Sequence, residues 1–220
     1  SKLRSADVAT SSSDITIKYD NYNFSGLNPS IATTGKILWT HPDSSASFGQ
    51  TVSPSWFAWN QNNQIASGIT IGRDGMTSDV TIDRALTANG PVTVYGNNIT
   101  VTQSLTSNGT SAVQGIYLKA KGNILSYGDM NYTTNGGDIA FWSDSDATGG
   151  GFIHIQDRNK LDSRTNANRT SSLISTASGG GAITLGGGNT SATLASGTVV
   201  PTGFAADNTN TVPGGVSLGY

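Results

Sequence analysis

The residues with the clearest chemical potential form an acidic pair beside a tryptophan, in the order Trp142, Ser143, Asp144, Ser145, Asp146. Two clustered carboxylates could serve as the acid and base of a polysaccharide-degrading enzyme, and they could also ligate calcium. Asp is equally a routine residue of solvated turns, and this interpretation is favoured for Asp144 and Asp146. We therefore expect a ligand-contacting surface at Trp142, Asp144 and Asp146 and no catalytic residues.

The rest of the sequence offers little material for catalysis or metal binding. All 14 acidic residues are Asp, Cys is absent, and the two His, His41 and His154, lie far apart. The lack of Cys excludes disulfides, thiol catalysis and thiolate zinc sites, and two isolated His make a poor transition-metal set. The Gly-Asp spacing of calcium-binding nonapeptide repeats is also missing. The sequence predicts a protein that is not an enzyme and has no cofactor or metal site, with calcium at the acidic pair left as an open alternative.

Tryptophans could stack against sugar rings, and their surroundings separate them into two groups. Three of the four fall in an aromatic-rich N-terminal region, namely Trp39, Trp56 and Trp59. Packing in a core or cap is the favoured interpretation for these three, since large aromatics bury well. Ile139 and Phe141 share one face of a predicted strand, so Trp142 is expected to point outward beside Asp144.

Composition and charge narrow the range of partners. The net charge is −2 and only 12% of residues are charged, so there is no electrostatic case for nucleic acid or for an anionic membrane. No apolar run approaches the roughly 18 residues that a membrane helix needs. The absence of Glu and the abundance of Thr, Asn and Gly favour strands and tight turns over helices.

Short segments of alternating apolar residues must position these side chains. The alternating pairs are Ile69/Ile71, Val80/Ile82, Val92/Val94, Ile99/Val101, Ile116/Leu118 and Ile153/Ile155. Such alternation is the signature of a strand with one buried face. Each run is too short to close a core alone, whereas stacked copies would build a continuous hydrophobic column.

An Asn-Gly turn followed by a strand recurs along the middle of the chain. The copies are Asn89-Gly90 before Val92, Asn108-Gly109 before Ile116, and Asn135-Gly136 before Ile139, with a degenerate copy at Ser178-Gly179 before Ile183. Asn-Gly could also close antiparallel hairpins. The unequal spacing favours a solenoid, whose corners tolerate insertions, over a hairpin-based sandwich.

These patterns predict an all-β protein with two parts. Residues 66–220 are expected to form parallel β-solenoid repeats, with a polar loop inserted around 157–171. Residues 1–65 are less regular, and we expect them to form a capping segment that covers the first open rung, because an uncovered strand edge invites aggregation.

Several segments resemble the repeat region of large bacterial adhesins. They are Gly68–Gly75, Asp79–Ile82, Gly90–Val101, Gly136–Asp144, Gly181–Gly188 and Pro213–Gly219. In repeat style they are similar to filamentous-haemagglutinin-like surface proteins, including the very long ones of Bacteroidetes-type bacteria. The resemblance implies a right-handed parallel β-helix, secretion, and a role at the cell surface or in a matrix.

We therefore expect a non-enzymatic structural or adhesive module of a secreted bacterial surface protein, located outside the cell. Its partners would be glycans or the surface of a host or neighbouring cell, with no nucleic acid and no insertion into a membrane. Two alternatives stay open: a carbohydrate-binding β-helix module, and a subunit that self-assembles into an extracellular filament or continues into further repeats.

Overall fold

A computed structural model of the chain describes residues 12–20, 30–31, 33–43, 45–54, 58–59, 66–148, 150–166, 180–203 and 216–218. Every helix or strand named within those ranges is a β-strand, which confirms the all-β prediction. The strands are β1 (Ile15–Lys18), β2 (Ser30–Ile31), β3 (Lys36–Thr40), β4 (Ala58–Trp59), β5 (Gly68–Ile71), β6 (Val80–Ile82), β7 (Leu86–Ala88), β8 (Val92–Gly96), β9 (Ile99–Val101), β10 (Leu105–Ser107), β11 (Ile116–Ala120), β12 (Ile124–Ser126), β13 (Asn131–Thr134), β14 (Ile139–Ser143), β15 (Ile153–Ile155), β16 (Lys160–Asp162), β17 (Ile183–Thr193), β18 (Val199–Gly203) and β19 (Val216–Leu218).

Most of these strands belong to three sheets. Sheet 1 has the order β1-β3-β5-β8-β11-β14-β17-β18, sheet 2 the order β6-β9-β12-β15-β19, and sheet 3 the order β7-β10-β13-β16. A separate pair is formed by β2 and β4. In the described part of the chain, every strand pairing is parallel except that of β17 with β18.

From β5 to β17 the chain passes through sheets 1, 2 and 3 in turn. We call each set of three successive strands a rung, so that β5–β7, β8–β10, β11–β13 and β14–β16 are rungs 1 to 4. Ile69, Val92, Ile116 and Ile139 are Cα partners in successive strands of sheet 1, which makes rungs 1, 2 and 3 respectively 23, 24 and 23 residues long. Parallel strands in stacked sheets, repeated at this spacing, are compatible with a β-helix.

The core lies between the three sheets and is lined by the predicted alternating residues. Val92, Val94, Ile99 and Val101 are completely buried, while the side chains between them are partly exposed. The column of apolar side chains extends toward the N-terminus, because β3 pairs in parallel with β5 and β1 pairs in parallel with β3, so that both strands continue sheet 1. Trp39 in β3 is completely buried in this core.

The Asn-Gly sequences occupy corners, where the chain passes from sheet 3 to sheet 1. They follow β7, β10 and β13, and the strands on either side belong to different sheets, so they do not close hairpins. Gly90 is required there because a Cβ atom would overlap the backbone carbonyl of Ser67 in the preceding turn. A close approach of two backbones thus selects glycine at this corner.

The polar segment 157–171 differs from the expected projecting loop. Its residues Lys160–Asp162 form β16, which pairs in parallel with Asn131–Thr133 of β13. Residues 167–171 lie outside the described residues, as do the whole of Trp56 and the side chain of Trp59. Because a polar side chain can occupy the outer face of a strand, a polar composition did not exclude pairing here.

Candidate functional site

The structure corrects the expected exposure of Trp142. The residue does lie on the outer face of sheet 1, in a row where Tyr95, Lys119, Trp142 and Gly186 are successive Cα partners. Its side chain is nevertheless only 4% exposed. The indole Nε1–H donates a hydrogen bond to the carbonyl oxygen of Gly188 at 2.6 Å. An indole held in this way is not available as a platform for a sugar ring.

The hairpin formed by β17 and β18 covers the side chain of Trp142. After pairing with β14, β17 bends at a register shift between Gly187 and Ser191 and returns antiparallel through β18. Gly188 supports the bend with a φ of 83°, a left-handed conformation that favours glycine. A hydrogen bond joins the hairpin turn to the start of β14: Ser196 Oγ donates to Oδ2 of Asp138, the residue directly before that strand, at 2.5 Å. Alternation along β14 predicts the outer face correctly but carries no information about this distant hairpin.

A cation shares the covered face with the indole. Lys119 Nζ lies 4.3 Å from the centroid of the Trp142 ring and 2.8 Å from Asp74 Oδ2. An ammonium group at this distance from an indole is attracted by the ring's quadrupole. The ammonium group of Lys119 is therefore attracted both by the indole of Trp142 and by the carboxylate of Asp74, and these contacts stabilise the outer face of sheet 1.

The two carboxylates of the predicted pair have separate structural settings. Asp144 is buried in a tight turn with a φ of 49°, and its backbone N–H donates to the carbonyl of Gly122 at 3.0 Å. Asp146 Oδ2 lies 3.0 Å from Lys121 Nζ. Burial alone would raise the pKa of Asp146, but hydrogen bonds from Lys121 and Thr148 outweigh it and lower that pKa below its ordinary value. A general acid at neutral pH needs a raised pKa, so Asp146 is tuned in the opposite direction.

Neither histidine joins the acidic pair. His41 follows β3, and its Nε2 lies 3.2 Å from Asp20 Oδ1. His154 is in β15 on the outer face of sheet 2, where its ring contacts that of Tyr127 at a centroid distance of 5.8 Å. Among the described residues, no group of three or more His, Cys, Asp or Glu could hold a metal ion.

A small cleft lies under the tip of the hairpin. Its volume is about 40 Å³, and its lining includes Thr93, Tyr117, Asp138 and Thr198. This volume accommodates about one or two water molecules. The cleft is therefore too small for a sugar ring.

A hydrogen-bonded ladder, which the sequence analysis did not find, runs along the corner between sheets 1 and 2. The backbone N–H and the Nδ2 group of Asn98 both donate to Asp79 Oδ1 at 3.0 Å. Asn98 Oδ1 accepts from the N–H of Asn123 at 2.9 Å, and Asn123 Oδ1 accepts from the N–H of Phe152 at 3.0 Å. A sequence signal existed, because each of these residues directly precedes the first residue of a sheet 2 strand.

A second unpredicted feature lies on the outer face of sheet 2. We define the aromatic patch as Leu125, Tyr127, Phe152 and His154. Tyr127 and Phe152 are 42% and 39% exposed, whereas Leu125 and His154 are partly buried. Leu125 and His154 are Cα partners in β12 and β15, so the patch spans rungs 3 and 4. The sequence could not reveal it, because its two halves are brought together by strand register.

The fold defines an all-β protein of parallel strands in stacked sheets. In comparisons with known proteins, no family model, no curated protein and no solved structure matches the chain. Among the residues described by the structure, there is no helix of the length and apolarity needed to cross a membrane.

Proposed function

We propose that the chain is a right-handed β-solenoid with an aromatic-rich N-terminal cap, and that it is a non-enzymatic structural and adhesive module of a secreted bacterial surface protein. The main support is the repeated register, in which Ile69, Val92, Ile116 and Ile139 stack at intervals of 23 or 24 residues. The right-handed sense follows the strong general preference of connections between parallel strands. The resemblance to filamentous-haemagglutinin-like repeats points to the same role.

Stacked rungs suit the chain to act as a stiff stem. The seven parallel strands of sheet 1, from β1 to β17, extend about 29 Å at the usual strand spacing. Three parallel ladders of backbone hydrogen bonds join the rungs, so bending the stem would strain all three together. A stem of this kind holds its outer surfaces away from the cell, where many weak contacts with glycans or cell surfaces add through avidity.

Bead adhesion tests the adhesive part of this proposal. Beads carrying the chain at graded densities would be applied to bacterial and epithelial cells under flow, with beads carrying the heat-denatured chain as the control. Avidity predicts retention that rises more steeply than the coating density. Retention no better than that of the control beads at every density would contradict the proposal.

Particle shape and assembly test the structural part. Small-angle scattering is expected to report a compact folded particle, and an expanded chain would contradict a stack of paired strands. Light scattering over a concentration series separates a single stem from the alternative of a self-assembling filament, since a filament's mass would grow with concentration.

A further inference from the structure

The aromatic patch occupies positions that the neighbouring rungs fill with polar residues. Leu125 is the Cα partner of Thr100, which is in turn the partner of Thr81. Ser126 is the Cα partner of Val101, so the next residue, Tyr127, lies beside Thr102 of rung 2. The outer face of sheet 2 thus changes from polar residues in rungs 1 and 2 to Leu125 and Tyr127 in rung 3 and Phe152 and His154 in rung 4.

Phe152 interrupts the ladder of polar side chains. The ladder consists of residues that lie directly before sheet 2 strands. Asp79, Asn98 and Asn123 occupy that position in rungs 1 to 3, and each accepts a hydrogen bond with a side-chain oxygen. Phe152 comes next and remains 39% exposed. An asparagine there could donate to Asn123 as Asn98 does to Asp79, and it would expose no apolar ring. Hydrogen bonding therefore does not require an aromatic residue at this position.

We propose that the aromatic patch binds a neutral saccharide chain, with the C–H faces of different sugar rings of that chain lying against Tyr127 and Phe152. This inference rests on the proposed adhesive function and names its contact surface. Binding sites for small ligands combine apolar surface with a few polar groups, and two such groups adjoin the rings. The imidazole of His154 lies within the patch, and Gln156 is fixed at its edge by accepting from the N–H of Gly128 at 2.7 Å.

Size and charge favour a saccharide over a protein partner or a second copy of the chain. A stable protein interface buries about 800 Å² on each side, which is far more than two exposed and two partly buried side chains can offer. Arg158 and Asp129 form an ion pair at 3.5 Å beyond Tyr127, so the nearby charges compensate one another. A small surface of this kind, with balanced charges beside it, fits a short run of linked sugar rings.

Polysaccharide binding by the full chain tests the inference. The probes are insoluble cellulose and chitin in pull-down assays, and soluble β-1,3-glucan and α-mannan in affinity electrophoresis. The double variant Tyr127→Thr with Phe152→Asn copies the side chains found in neighbouring rungs, so it is expected to stay folded. We expect at least one probe to bind the wild type and its affinity to fall about tenfold or more in the double variant.

Val113→Ala is the matched control, because Val113 is an exposed apolar residue outside the patch, in the loop before β11. Its affinity should equal that of the wild type, and the melting temperature of Phe152→Asn should not fall. The inference is overturned if the wild type binds none of the four probes, if the double variant binds equally well, or if Val113→Ala weakens binding as strongly.

Cell adhesion distinguishes failure of this inference from failure of the proposed function. If beads carrying the double variant adhere to cells as well as wild-type beads, the adhesive function stands and the patch is not its contact surface. If the double variant loses adhesion but periodate oxidation of the cell glycans has no effect on the wild type, the partner is a protein and the saccharide inference is wrong. If wild-type beads never adhere, the proposed function itself fails.

Discussion

Replacing Asn98 with alanine would break the side-chain ladder at its centre. The side-chain amide donates to Asp79 Oδ1 at 3.0 Å and accepts from the N–H of Asn123 at 2.9 Å. Alanine keeps the Cβ atom and the backbone hydrogen bond to Asp79, so the loss is confined to these two contacts. The N–H of Asn123 is the more important of them, because it is partly buried and would be left without this acceptor.

The expected cost follows from the setting of each contact. A buried or partly buried N–H group left without an acceptor costs about 1–2 kcal/mol, and the exposed bond to Asp79 contributes about 0.5–1 kcal/mol. The free energy of unfolding should therefore fall by about 1.5–3 kcal/mol in Asn98→Ala. Asn97→Ala is the matched control, since the side chain of Asn97 makes one exposed hydrogen bond to the same carboxylate at 3.0 Å.

Urea denaturation followed by far-ultraviolet circular dichroism measures both variants. We expect Asn97→Ala to cost less than about 1 kcal/mol, with the dependence on urea concentration unchanged in both. Hydrogen exchange should show faster exchange at the amide of Asn123 in Asn98→Ala alone. The reasoning is refuted if the two variants lose equal stability, or if the amide of Asn123 keeps its wild-type protection.

Three further changes test other parts of the structure. Gly90→Ala should lower the free energy of unfolding by more than about 3 kcal/mol, because the added Cβ would overlap a backbone carbonyl. Gly203→Ala is the control, since its added Cβ meets no atom within 4 Å and should change the melting temperature little. Equal effects of the two substitutions would contradict this reasoning. Trp142→Phe removes the indole N–H that donates to the carbonyl of Gly188, so the free energy of unfolding should fall by about 1–2 kcal/mol. Hydrogen exchange should become faster across β17 and β18. Unchanged exchange there would show that this hydrogen bond does not hold the hairpin. Burial raises the pKa of Tyr132 above its ordinary value more than the hydrogen bond to Ser126 lowers it, so the neutral phenol favours the folded state. That stability is fully present below about pH 10 and is lost as the pH rises further, and Tyr132→Phe should unfold less readily in alkaline solution; equal alkaline sensitivity of the two proteins would count against this cause.

Local sequence pattern predicted which side chains face the core in most of the rungs. Val92, Val94, Ile99 and Val101 were identified by alternation alone, and all four are completely buried. The prediction succeeds because successive side chains of a strand must point to opposite faces, whatever the strand pairs with. The composition, without Glu and rich in Thr, Asn and Gly, predicted the all-β class for a similarly local reason. The adhesin resemblance, secretion and the absence of enzymatic activity stay predictions.

The candidate sites depended on contacts that are distant in sequence. Alternation placed Trp142 on an outer face, but only the fold shows that a hairpin from residues 183–203 covers it. Likewise, Phe152 is an ordinary strand-flanking residue in the sequence, and its place after Asn123 in the ladder follows from the pairing of β12 with β15. From β5 to β17, strand partners in sheet 1 lie 23 or more residues apart, so the sequence by itself determined only the face of each side chain. Tertiary structure decided what lies beside each side chain and what lies over it, because burial and hydrogen bonding depend on the neighbouring rungs.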